Sequence, residues 1–535
     1  MTYNQTLMEQ PRNSIPPIQG SYQQPPPQGY YQQPMPPQGG YVYSYDPTSI
    51  PYQQMNIQQW NQIPADPSPY SYFWSQPDSF QPETFARNTR QPESKYNDLF
   101  FNILFWINLI GVFILAWYTM KVGAPKINEW SKDTNTSSQS PSVKGPVLDQ
   151  IKSSALVGVG LAFIVNIVHF AYASSFPYAY IKAGVFIGLI IMSLICLLPF
   201  FMTGSFLFFI FPGFFLLIGS IYYCVARKYF RISAAVLKQC TNLIKRYPSI
   251  IFLCVVQIFV EIIINIVFSA LIIGIVASNM SYLIYIYALF SYFWVAYTLG
   301  YVTYMTGAGL AASWYFLDNT VYFPKSPVWE SFKRACTTSF GSASVAAFLL
   351  ALVTTLRYLA ESSSSGNDNI GVLILKCIAI CILACIEAFV KWMNRYALIY
   401  CAVYGVPFSE GCRRWMELSF RRFIDVLIAG NVVADSLFYN LFVFTIVGGV
   451  GGYYFGAFLY GKGSVGSIVV PIVASLVSLC FFVVLQQPLM TMADTLFVCF
   501  AEAPERLNTS ATELYDLMAE QYNEGLSQRL QRSVQ

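Results

Sequence analysis

Residues 249–277 read SIIFLCVVQIFVEIIINIVFSALIIGIVA, and Glu261 is the only charged side chain among them. A helix needs about 20 predominantly apolar residues to cross the hydrocarbon core of a bilayer. In lipid a chain must also satisfy its own backbone hydrogen bonds, so a run of this composition is stable there as a helix. The stretch therefore predicts a transmembrane helix with residues to spare.

Comparable runs lie on both sides of it. Upstream they cover 98–120, 155–175, 180–202 and 205–225; downstream, 282–313, 336–358, 371–390, 435–459 and 467–490. The third and fourth are parted by little more than Thr203-Gly204, and the fifth and sixth are long enough to tilt or break. The bulk composition agrees, with 55% hydrophobic and 11% charged residues and a mean hydropathy of +0.46. Soluble domains carry about a quarter charged residues. The fold class predicted is an all-α, polytopic membrane helical bundle of about ten transmembrane helices. A net charge of +4 gives no reason to expect a nucleic-acid partner.

Residues 1–95 are rich in Pro, Gln, Tyr and Gly, as in Pro25-Pro26-Pro27-Gln28-Gly29-Tyr30-Tyr31. Such a segment buries too little apolar surface to offset its ordering entropy and is expected to be a disordered tail. The first long apolar run starts near Asp98, so no N-terminal signal peptide is read and the first helix is expected to direct its own insertion. The expected organisation is a cytoplasmic tail over 1–95, a bundle over 96–492 and a cytoplasmic C-terminal tail over 493–535.

Orientation follows from Lys and Arg in the short connections. Arg227, Lys228, Arg231, Lys238, Lys245 and Arg246 follow the fourth run; Lys325, Lys333 and Arg334 the sixth; Lys391, Arg395, Arg413, Arg414, Arg421 and Arg422 the eighth. Ten alternating spans place them all on one side. The other side has an acidic, Ser-rich stretch at 361–369, Lys462, and a lysine-bearing first loop that fits the rule poorly. Both termini are accordingly expected in the cytoplasm. Asn135 then lies outside, in a polar loop, as a glycosylation candidate, while the Asn279 sequon lies too near the membrane.

Charged and polar side chains inside a membrane mark functional sites or buried pairs. Glu261 and the sole histidine, His169, sit deep within their runs; Lys182, Lys376, Glu387, Asp425 and Asp494 lie near run ends, where snorkelling explains them, and Asp435 opens the ninth. Tyr287, Phe290, Trp294, Tyr297, Tyr301 and Tyr304 recur at steps of three and four and share one helix face. Their hydroxyls favour a bundle interior or wet cavity over lipid tails. Such a stripe serves packing, or it forms a cage for a cation, since ring faces attract quaternary ammonium groups. Gly448, Gly452 and Gly456 make a small-xxx-small series for close helix approach, or a hinge. Cys377, Cys381 and Cys385 recur on one face without His or carboxylate partners, which points to helix packing rather than a metal. No phosphate-cradling Walker A loop, nucleophile elbow or zinc-binding HExxH helix is present, so neither catalytic residues nor a cofactor are predicted.

Lys95-Tyr96-Asn97-Asp98, Ser339-Phe340-Gly341-Ser342, Asn394-Arg395-Tyr396-Ala397 with Ala402-Val403-Tyr404-Gly405, Val447-Gly448-Gly449-Val450-Gly451 and Asp494-Thr495-Leu496-Phe497-Val498-Cys499-Phe500-Ala501-Glu502 together resemble the choline transporter-like family (solute carrier family 44), in particular its fungal branch. Leu398 and Ala503-Pro504-Glu505 depart from the family pattern, at positions read as cytoplasmic loop. The resemblance covers residues 95 to about 520. It implies ten helices, cytoplasmic termini, plasma-membrane residence and uptake of choline or a related organic cation. The expected site joins Trp294, Tyr297 and Tyr301 as a cage with Glu261 or Asp435 offsetting the cation's charge. The alternatives are a non-transporting scaffold that recruits cytosolic partners through the tail, and a channel, for which no filter-like loop or acidic ring is present.

Overall fold

The computed structural model describes residues 96–137, 145–203, 210–362 and 370–520, and every regular element among them is helical. In chain order these are α1 (Leu99–Ser137), α2 (Gly145–Ser175), α3 (Pro177–Thr203), α4 (Ile210–Ala226), α5 (Phe230–Arg246), α6 (Ser249–Ala277) and α7 (Tyr282–Leu317). They continue with α8 (Pro327–Cys336), α9 (Phe340–Ser362), α10 (Ile370–Tyr404), α11 (Phe408–Tyr460), α12 (Val465–Glu502) and α13 (Glu505–Ser510). The described part of each of the ten apolar runs falls mainly on one helix, the seventh starting at the last residue of α8 and continuing on α9, with α5, α8 and α13 as further helices. Seven stretches of the described helices, on α1, α2, α3, α6, α7, α9 and α11, are long and apolar enough to cross a membrane. The protein is an all-α, multi-pass bundle. The proposed tail of residues 1–95 lies outside the described residues.

Cross-helix contacts sort the helix ends into two faces. At one, Arg246 at the end of α5 pairs with Asp318 just past α7 at 3.2 Å, and Lys245 donates to Ser174 of α2 at 3.0 Å. The start of α1 joins the start of α11 at this face, where the Phe408 amide donates to Asp98 at 2.9 Å. At the other, Ser278 beyond α6 donates to the Thr119 carbonyl of α1 at 2.8 Å, and Tyr460 ending α11 donates to Ser153 of α2 at 3.2 Å. The described chain thus enters and leaves at one face, which also carries α5 and α8. On α5, Val236, Leu237, Cys240, Leu243 and Ile244 are buried while Arg231, Lys238 and Lys245 are exposed, an amphipathic pattern that seats the helix against the bundle.

Several helices outrun the membrane. α7 is unbroken over 36 residues, and its stretch Val302–Leu317 is entirely buried. The segment after residue 390, expected as a basic loop, continues α10 to Tyr404, with Tyr396 to Cys401 buried. α11 takes up the basic residues from Phe408 and runs for 53 residues. Past residue 492, α12 continues helical and buried through Ala501. These segments are basic or polar enough to read as loops, but Lys391, Arg395, Arg413 and Arg414 are paired and the apolar positions from Tyr396 to Cys401 and from Leu496 to Ala501 are buried. The expected polar loop before the second span is likewise mostly helix, because α1 continues to Ser137 and carries the backbone of Asn135. Cys377, Cys381 and Cys385 are exposed instead of packed, on the peripheral half of α10.

The glycine series of α11 meets α12 at close range. A Cβ at position 452 would lie 2.8 Å from the Pro471 Cα, and one at 456 would lie 3.1 Å from the Gly466 carbonyl; at 451 nothing stands within 4 Å. Gly452→Val is expected to lower the melting temperature of the detergent-solubilised protein, in keeping with the roughly 1–3 kcal/mol cost of overpacking. Gly451→Val should leave it unchanged. Equal effects from the two substitutions would remove close α11–α12 packing from the account.

Candidate functional site

Of the stretches that carry the family resemblance, all but Val447–Gly451 lie toward the face where the chain enters. Asp98 accepts hydrogen bonds from the Ser342 hydroxyl at 2.6 Å and from the Phe408 amide at 2.9 Å, so it binds α9 and caps α11 together. Asn97 donates its side-chain amide to the Gly405 carbonyl at 2.6 Å and its backbone amide to Thr338 at 2.9 Å. Gly405 ends α10 with a φ of +65°, the left-handed conformation that suits glycine after a helix. A Cβ on Gly341 would collide with the Asn97 and Asp98 carbonyls.

A buried ion pair lies in the same half of the bundle. Arg395 of α10 grips Asp494 of α12 with two guanidinium nitrogens, and Asp494 is 1% exposed. Tyr304 of α7 donates to the same carboxylate at 3.3 Å. Gly430 of α11 lies beside it, since a Cβ there would stand 3.5 Å from an Asp494 oxygen. Further along the same helices Tyr404 donates to Glu502 at 2.7 Å. The steps from 395 to 404 and from 494 to 502 run in one direction, so α10 and α12 are parallel there. A second buried acid, Glu387 of α10, pairs with Arg357 of α9 and with Lys391, each at 2.6 Å. Glu387 and Asp494, read from sequence as snorkelling, are buried and paired.

The aromatic stripe of α7 points into the bundle. Tyr287 and Ser291 donate to Asn108 of α1, each at 2.9 Å. Trp294, 2% exposed, donates from its indole nitrogen to the Ser344 carbonyl of α9 at 3.1 Å. Tyr297 bonds Thr354 at 3.3 Å, and Asn394 donates to the Tyr301 hydroxyl at 3.1 Å. Phe105, Phe290 and Phe348 pack edge-on or tilted around Trp294 at ring distances of 5.2–5.7 Å. Each polar ring thus has a protein partner, and Trp294 sits inside a cluster of aromatic rings.

Neither expected carboxylate hydrogen-bonds to this stripe. Glu261 accepts from Gln257 of its own helix at 2.6 Å. Asp435 of α11 accepts from the Tyr222 hydroxyl of α4. It lines a half-open cavity of about 190 Å³ between α3, α4 and α11, shared with Val185, Gly188, Leu189, Met192, Gly219 and Tyr439. His169 makes a helix-to-helix bond with Tyr180 at 2.9 Å and lies edge-on to Phe444 at 4.5 Å. Lys182 is exposed, and the Asp425 side chain lies outside the described residues.

Sequence reasoning missed Tyr222 and Tyr439 as neighbours of Asp435, and Arg395 as the partner of Asp494. Tyr439 stands four residues from Asp435 on one helix face, a signal available in the sequence. The other two partners come from distant helices and have no local signature.

A helical bundle with paired charges in its interior and an acid-lined cavity between spans is the architecture of a multi-pass membrane transporter. The family described as "Plasma-membrane choline transporter" matches residues 209–505. A CTL-like protein of Dictyostelium discoideum is 28% identical over 315 residues, which cover 57% of this chain and 54% of that protein. Protein PNS1 of Debaryomyces hansenii is 23% identical over 482 residues, covering 84% and 91% respectively. Choline transporter-like protein 2 of Danio rerio is 32% identical over 250 residues, covering 44% and 35%. The chain belongs to the choline transporter-like family. The match takes in about half the length of the Dictyostelium relative and nearly all of the Debaryomyces one.

Removing one partner of a buried ion pair strands the other charge and costs about 3–5 kcal/mol. Asp494→Ala is therefore expected to lower the melting temperature and the yield of monodisperse protein sharply. Pairing Arg395→Met with Asp494→Leu should recover most of that loss. A single variant as stable as the parent would show that the pair does not hold the bundle.

Proposed function

We propose that the protein carries a small organic cation of the choline type across the plasma membrane, with Asp435 as its counter-charge. The observation that carries this reading is a carboxylate lining a cavity between membrane-spanning helices, flanked by the tyrosine rings of Tyr222 and Tyr439. A quaternary ammonium makes no hydrogen bonds of its own, so ring faces and a nearby negative charge are what recognise it. The printed names of the family and of the Danio rerio relative agree with that substrate class.

In this reading Arg395 and Asp494 close the passage beside the cavity. A cation that reaches Asp494 competes with Arg395 for its carboxylate, and loosening the pair frees α10 and α12 to part. Glu261 is the second acid first considered for the substrate, and its contact with Gln257 makes it the weaker candidate. Trp294, Tyr297 and Tyr301 act on this account as the wall that positions α9 and α10. The face carrying α5, α8, Arg413 and Arg414 is the cytoplasmic one by its basic content. Both termini are then cytoplasmic, the tail of residues 1–95 is available to cytosolic partners, and the sequon at Asn135 lies on the outer side.

Asp435→Asn is expected to raise the KM for radiolabelled choline about tenfold or more at unchanged surface level, whereas Trp294→Ala should reduce surface level and leave KM near the parent value. Choline uptake indistinguishable between Asp435→Asn and the parent would exclude Asp435 as the counter-charge. Loss of uptake on deleting residues 1–95, with the protein still at the surface, would favour a scaffold. Reporters fused at either end should both read cytoplasmic.

A further inference from the structure

A second and larger cavity lies away from Asp435, at the face that carries the basic helices. It measures about 520 Å³ and is lined by Tyr178 and Lys182 of α3, Tyr223 of α4, Arg227 and Lys228 of the turn after α4, Phe230, Arg231 and Ile232 of α5, and Leu517 and Glu520 near the end of the described chain. Four cations thus converge on one hollow with a single acid among them.

None of Lys182, Arg227, Lys228 and Arg231 has an ion-pair partner among the described residues, whereas the nearby Arg246, Arg395, Arg413 and Arg414 are all paired. Four like charges against one acid leave the hollow strongly positive, and an anion relieves their mutual repulsion. The first turn of α3, a helix of 27 residues, borders the hollow and adds the positive end of its dipole. Arginine and lysine together suit a tetrahedral oxyanion, the one by paired donors and the other as a point charge.

The surroundings fit the depth of a bilayer interface. Tyr178 is half-exposed, and amphipathic rings of this kind settle at headgroup level. Farther from the helix ends that meet at the hollow, Phe186 of α3 and Ile221 of α4 present exposed apolar surface where acyl chains would lie. We propose that this hollow binds a phosphomonoester group. A lipid headgroup and a soluble phosphate ester share that chemistry, and the position at the bilayer interface favours the lipid. The site is separate from the cation cavity, although both use α3 and α4, so a bound headgroup would brace the pair of helices that line the Asp435 cavity.

The test uses the full-length protein reconstituted in phosphatidylcholine nanodiscs. One arm adds about five per cent of a phosphatidylinositol phosphate, and the other adds inositol phosphate to the buffer. Bound ligand is read by mass spectrometry and as a shift in melting temperature. Arg227→Gln with Arg231→Gln is expected to reduce lipid binding about tenfold or more, each surface cation contributing separately. Lys238→Gln with Lys333→Gln, which removes the same charge from the same face, should reduce it little. Binding in the buffer arm alone, lost in the first pair of variants and kept in the second, would also support the site and assign it to soluble phosphate esters. Equal losses in both variant pairs, or absence of binding in both arms, would overturn the proposal.

Discussion

Arg395 and Asp494 face each other where water is excluded, and the rest of the bundle is arranged around that fact. Taking two charges out of solvent costs several kcal/mol for each ion, so the pair persists only where geometry is good and the remaining lone pairs are filled. Tyr304 supplies one of those bonds from α7, and Gly430 of α11 lies beside the carboxylate. Three long helices, α7, α10 and α12, are therefore tied at one carboxylate. The Tyr404–Glu502 bond repeats the tie between α10 and α12 further along and sets their parallel register.

The cavity around Asp435 inherits its shape from that arrangement. Asp435 and Gly430 lie on the same rigid helix, so where α11 sits against Asp494 determines where the carboxylate meets Tyr222. Close packing of α3 against α11 adds to this, since a Cβ on Gly184 would press on the Ser436 backbone. The Asp98 clasp fixes the beginning of α11, and the Gly452 and Gly456 contacts fix its far half. At the start of that helix Arg413 and Arg414 hold the Glu410 carboxyl down at about 2, so the first turn keeps its negative charge across the physiological range.

The membrane character and the all-α class were legible because composition alone decides them: a run such as 249–277 has no stable alternative in lipid. The single-sided basic residues likewise anticipated that α5, α8 and the start of α11 share a face. What misled was charge density. Asn394-Arg395 and Asp494 look like the ends of spans, and a local reading places them in loops. Their burial depends on each other across 99 positions of chain, a pairing with no periodic trace. The aromatic stripe was readable as a face from its spacing, but the spacing says nothing of Ser344, Thr354 and Asn394, which occupy its polar atoms. Asp435 stood out as an acid opening a span; its tyrosine partner from α4 emerges only from the packing of three helices.

An uninterrupted helix of 53 residues extends about 80 Å, more than twice the thickness of the hydrocarbon core. α11 therefore behaves as a lever that enters the bilayer already anchored in the protein layer beneath it. A pivot of its lower arm, where Glu410 and the Phe408 cap reside, would carry into the upper arm along the same continuous helix. Torque applied at the basic start of the helix is thus passed along it toward Asp435 and the cavity that it lines.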